Sequence, residues 1–162
     1  MEHQGKLGGR LLNQTVGTGL AARFEELGAR VAELAAPLTE DQFWQKPFSF
    51  GNSFGHLVLH LTGNLNYYLG TQIAGTGYVR DREQEFTEAS RPAKDEVMRR
   101  FADAISLAAR TARAQTEQDW TREYKAERDE SENRFQIFLR CATHLHLHIG
   151  QMIYLQFALQ RS

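Results

Sequence analysis

The chain has 162 residues, with 19 basic and 20 acidic side chains and a formal net charge of −1. That length suits one domain, residues 1–162, able to bury a core without staples. The balanced charge shows no basic stripe with interleaved aromatics, so nothing recommends nucleic acid as a partner. The lone cysteine, Cys141, excludes an intrachain disulfide framework and a cysteine zinc cluster. No run reaches the ~18 apolar residues of a membrane span, and the first residues lack the apolar block of a signal peptide. A cytoplasmic protein with no membrane partner is expected.

Residues 1–18 carry four glycines and little periodicity. Leu11, Leu12 and Val16 could extend a first helix backwards, against Gly17 and Gly19. From Leu20 the pattern firms, with Phe24, Leu27, Val31 and Leu34 on one stripe, until Pro37 stops it. Thr39-Glu40-Asp41-Gln42 reads as a capping box opening one short turn with Phe43 and Trp44. Asn52 or Ser53 then caps a second long helix, residues 54–74.

Residues 75–91 form a long connection with a dense charge run, read mainly as a self-paired, solvated segment. A third helix begins at Ser90 or Pro92 and runs to about Thr116, with Val97, Phe101, Ile105 and Ala108 on its stripe and many alanines for close packing. It carries no histidine and few inward carboxylates. Residues 117–132 are a polar connection pinned by Trp120 and Tyr124. A last helix spans residues 133–160, where apolar side chains recur at three-and-four spacing. Four long helices and no convincing strand predict an all-α protein, a four-helix bundle with long crossover loops.

The chemistry sits in the histidines. On the last helix His144 and His148 share a face one turn apart, while His146 lies about 200° round from His144 and cannot join them. Two such imidazoles are half of a metal site; two polar residues on a solvated face are the competing reading. A zinc protease would need a glutamate at Leu145, and a di-iron carboxylate site would need inward Glu-x-x-His pairs; neither is present. On the second helix His56 and His60 are again one turn apart, with Asn64 a turn further. A buried polar column of this kind needs partners, and two histidine pairs on two helices favour one shared site. Gln151, on the His148 face, and Asn64 are the candidate catalytic residues, placed to orient a ligand or a bound water. No carboxylate is an evident general base.

The segment from Asn52-Ser53 through Leu57, His60-Leu61 and Gly63-Asn64 resembles the second-helix motif of DinB-like (YfiT-like) bundles. His144-x-x-x-His148-x-Gly150-Gln151 followed by Tyr154-Leu155 resembles their last-helix motif, and Arg80-Asp81-Arg82 with Glu85-Phe86 is similar to the segment between them in one subgroup. The resemblance covers residues 20–159. It implies a divalent metal, zinc or nickel, held by His60, His144 and His148. Some relatives are thiol-dependent transferases or isomerases that use bacillithiol, mycothiol or glutathione. The resemblance leaves the role of His56 open.

The expected function is therefore a metal-dependent enzyme of thiol-dependent transferase type, or a hydrolase, acting on a small-molecule substrate with a low-molecular-weight thiol as co-substrate. A metal-binding but non-catalytic stress or sensor protein and a purely structural interaction bundle are the alternatives. The last helix is apolar on more than one face, which points to a homodimer through it or its neighbour.

Overall fold

Local hydrogen bonds set where the helices start. Thr39 Oγ1 accepts the Gln42 N–H at 3.2 Å while Gln42 Oε1 accepts the Thr39 N–H, opening α2, Glu40–Trp44. Ser53 Oγ accepts the His56 N–H and caps α3, Phe54–Leu65. Asn133 and Gln136 form the reciprocal box that opens α7, Arg134–Leu159. Each such box satisfies backbone donors that have no partner inside the helix.

The computed structural model describes residues 2–125 and 131–160. Before α2 lies α1, Glu2–Ala35. Beyond Leu65 the second long helix continues as a π-helical segment, Asn66–Ala74, and ends on Gly75 in the left-handed conformation at φ 70°. A one-turn α4, Gln84–Thr87, is followed by α5, Lys94–Arg113, and a short α6, Glu117–Thr121. Two three-residue strands, β1 Glu123–Lys125 and β2 Ser131–Asn133, pair antiparallel in the region read as a polar connection. They are the only strands among the described residues. No helix among those residues is long and apolar enough to cross a membrane.

The four long helices form the expected all-α bundle. Side-chain contacts fix its directions. Leu34 meets Gln156 and Phe24 meets Phe138, so α1 and α7 run parallel. Lys94 reaches the carbonyls of Ala35 and Leu38 while Gly28 abuts Ile105, so α1 and α5 run antiparallel. Tyr68 under Arg140 and His60 beside His144 make α3 and α7 antiparallel. The order is thus up, down, down, up. Because α3 and α5 point the same way, their connection has to travel back along the bundle, and residues 75–93 do so as a strap lying over α3. Phe24, Phe43, Phe54, Phe101 and Phe138 fill the centre.

Three boundaries differ from the sequence reading. α1 runs straight through Gly17 and Gly19 back to Glu2. A Cβ on Gly17 would stand 2.8 Å from the Ala112 carbonyl oxygen, so this glycine is where α5 comes closest. α5 starts at Lys94, later than Ser90 or Pro92, because Glu40 Oε1 from α2 accepts the Lys94 N–H at 2.8 Å and supplies the missing cap. The π-helical turn was not foreseen.

The two glycines of α1 separate cleanly. Gly17→Ala should destabilise the protein by about 1–3 kcal/mol, since the obstacle is backbone. Gly19, with open space round its Cβ position, should gain up to about 1 kcal/mol when replaced by alanine. Urea melts of both variants check this; shifts of the same sign would show that helix propensity alone decides.

Candidate metal centre

Antiparallel α3 and α7 put His60 opposite His144 and His148. His60 is buried and the other two are half-buried. Their Nε2 atoms converge: His144 Nε2 lies 3.2 Å from His60 Nε2 and 3.0 Å from His148 Nε2. Taking one ligand atom from each ring, all three lie within 4.8 Å of one another. His146 points outward, where Arg23 donates to its Nδ1 at 2.9 Å. The face assignment made from helical spacing therefore describes the molecule.

The remaining ring nitrogens decide what the three Nε2 atoms can do. His60 Nδ1 is 2.8 Å from Glu85 Oε2, and a carboxylate can only accept, so the proton is on Nδ1 and Nε2 carries a lone pair. His148 Nδ1 is 2.7 Å from Gln151 Oε1, so by the same argument His148 presents a bare Nε2. His144 Nε2 lies between those two lone pairs, and its own Nδ1 is buried without a hydrogen-bond partner. Lone pairs aimed at one point repel unless a proton or a cation sits among them. Nitrogens each about 2.1 Å from a common ion lie about 3.0–3.4 Å apart, which matches the spacing found here. Three imidazole nitrogens suit a divalent transition-metal ion.

Electrostatics favour the neutral ligands that a metal requires. Burial, then the neighbouring His148 and His60, lowers the His144 pKa to about 4. Burial lowers that of His148 as well, against the hydrogen bond to Gln151. Burial would raise the Glu85 carboxyl, but the hydrogen bonds from His60 and Arg80 outweigh it and hold it below its ordinary value. Arg80 meets both carboxylate oxygens, at 2.7 and 2.9 Å, in a bidentate pair.

Residues 75–91 are mostly exposed, as expected of a self-paired, solvated run, but within it the Arg80–Glu85 pair turns inward and sets a carboxylate, held by Arg80 and His60, beside the cluster. Glu85 is 6% exposed. It fits under α3 because residue 63 is glycine; a Cβ there would collide with Glu85 Oε1. Phe86 lies on the His60 ring, centroids 4.7 Å apart, and Arg82 lies over Phe86. The spacing of Gly63 behind His60, and Glu85 among arginines, was the available signal.

His56 does not join the cluster. Its Nδ1 is 2.6 Å from Ser53 Oγ, it bonds the Glu88 backbone, and it stacks edge-on to Trp44. The two histidines of α3 thus hold two successive points of the strap, Glu88 and Glu85. Asn64 is buried below His60 and makes no hydrogen bond to the three histidines. Gln151 touches the site through His148.

A family model for the DinB superfamily matches residues 23–152. The chain belongs to the DinB superfamily. Its fold is similar to a crystal structure of a conserved protein from Enterococcus faecalis, with a TM-score of 0.73 and 13% identity over 88% of this chain and 96% of that one. No curated protein matches the chain. The family and the three-histidine cluster are compatible with metal binding in this DinB superfamily member.

The lowered histidine pKa values have a consequence for the metal-free protein. As pH falls below 6.5, the unfolded chain takes up protons that folded His144, with its pKa near 4, still refuses. Stability should therefore drop between those values. Melting midpoints with chelator present should fall across that window, and His144→Gln should flatten the slope while the outer-face His146→Gln leaves it.

Proposed function

We propose that His60, His144 and His148 hold one divalent ion, zinc or nickel, and that the protein is a cytoplasmic metal-dependent enzyme of thiol-dependent transferase type acting on a small molecule. One observation carries this reading: two of the three facing Nε2 atoms are stripped of protons by partners behind them, Glu85 and Gln151. When bound, the ion would act as Lewis acid and lower the pKa of a thiol or water at its open position. The chain's own residues supply the rest. Glu85, neutralised by Arg80, holds the His60 ring by its Nδ1 proton. Phe86 packs against the same ring. Gln151, itself exposed, fixes the His148 ring and carries an amide nitrogen that could donate to an incoming ligand. Asn64, buried on α3 four residues beyond His60, is the second candidate polar residue.

Metal content of purified protein tests the ion, with about one per chain expected. His148→Ala should lose it and His146→Ala should keep it. Glu85→Ala should weaken metal affinity about 10–100-fold, and Glu85→Gln, which can still accept from His60, should weaken it less. Equal losses from the two α7 histidine variants would sink the metal reading. Conjugation of bacillithiol, mycothiol or glutathione to an aryl halide then tests the reaction. Turnover that survives metal removal would refute metal-dependent transfer.

Assembly as a homodimer is proposed on the outer face of α7, where Leu139, Leu147 and Phe157 are exposed and Gly150 has open space round its Cβ position. These residues recur on one side of the helix, and an apolar stripe of that kind around a small residue suits a two-fold helix pair. Light scattering should give about twice the 18.5 kDa of one chain, reduced by Leu147→Asp. A mass near 18.5 kDa that stays constant as concentration rises would refute it.

A further inference from the structure

Next to the histidine cluster, α3 and α7 leave a cleft of about 270 Å3. Leu57 on α3 and Gln151 on α7 line it, each three residues along its helix from a cluster histidine. Gln151 belongs to both places, since its Oε1 also accepts from His148 Nδ1 at 2.7 Å. Beyond it the walls are Leu155, Tyr154, Phe48 and Phe50. Phe48 and Phe50 lie in the segment between α2 and α3 and stack face to face, 5.6 Å apart with 13° between the rings. Their packing is on each other at the surface: Phe50 is 77% exposed and Tyr154 75%. Asn52 adds a second polar side chain to the lining.

Three features define what would fill the cleft. No charged side chain lines it, in contrast to the larger hollow beside Trp44 and His56, where Lys46 and Arg91 stand. Its volume suits one ring and no peptide helix. Three of its lining side chains, Phe48, Phe50 and Tyr154, are aromatic, and such rings pair favourably with another ring. We infer that this cleft holds an uncharged aryl arm of the small molecule whose donor atom meets the histidine cluster. The inference rests on the reading of that cluster as a metal centre and adds the class of substrate: an aryl compound, tethered at one end to the ion and stacked at the other between Phe48/Phe50 and Tyr154. Gln151 at the junction selects for a short link between donor and ring.

Calorimetric titration of the zinc-loaded protein with phenylmethanethiol and with mercaptoethanol tests this. The aryl thiol should bind about tenfold more tightly. Phe50→Ser and Tyr154→Ser, both at exposed positions, should each remove a threefold or larger share of that advantage, with mercaptoethanol affinity and zinc content unchanged. Equal affinity of the two thiols, or an advantage that survives both substitutions, overturns the inference. So does a wild-type dimer that both substitutions dissociate, because the aromatic face would then belong to a second copy. Phenylmethanol, which brings the ring without a metal ligand, is titrated into zinc-free protein by nuclear magnetic resonance. Shifts at Leu57 and Gln151 that both substitutions abolish support the cleft even if the protein takes up no zinc. Their absence rejects the cleft even if zinc is bound.

Discussion

The buried Glu85 carboxylate is the constraint from which the site follows. A carboxylate brought out of water is costly unless its oxygens are met by charged or hydrogen-bonding partners. Here Arg80 meets both oxygens and His60 meets one, so the charge is compensated from two sides. The same contact anchors the strap to α3, selects the tautomer of His60 and turns its Nε2 toward α7. Gly63 is part of the arrangement, since any side chain there would occupy the space of the carboxylate. The strap is present at this spot because the bundle topology demands it. With α3 and α5 parallel, the chain must return along the bundle, and a return path over α3 passes the histidine column.

The last helix carries three surfaces at once. Ile137, Cys141, Leu145, Ile149 and Met152 face the core. His144, His148 and Gln151 occupy the adjoining sector toward α3. Leu139, Leu147 and Phe157 are left outside. Cys141 belongs to the first of these surfaces, and burial pushes its thiol up to about 12, so it packs as an apolar side chain and offers no thiolate to the site. The division explains why a single apolar stripe could not be found in α7 and why its histidines split into two that converge and one that meets Arg23.

Much of this was legible in the chain itself, because it depends on neighbours in sequence. Thr39 with Gln42, Ser53 and Asn133 cap helices through bonds that span three residues. The spacing of four between His144 and His148 places them on one face whatever surrounds the helix, and the spacing of two excludes His146. The all-α class, the four long helices and the pairing of His60 with the two α7 histidines could be read from periodicity and the family resemblance.

Only the tertiary structure decided the rest, for reasons of distance along the chain. Glu40 caps α5 from 54 residues away. Gly17 is required by the Ala112 carbonyl of a helix nearly a hundred residues on. His56 and His60 look alike in sequence, yet one bonds Ser53 and the Glu88 backbone while the other joins the cluster, a difference of one helical turn relative to α7. Charge runs such as residues 80–85 read as solvated because sequence does not show which side of the strap meets α3. The partners of Glu85 are fixed by where the fold brings Arg80 and His60 together, and that is set by the parallel course of α3 and α5, not by any local preference of Glu85.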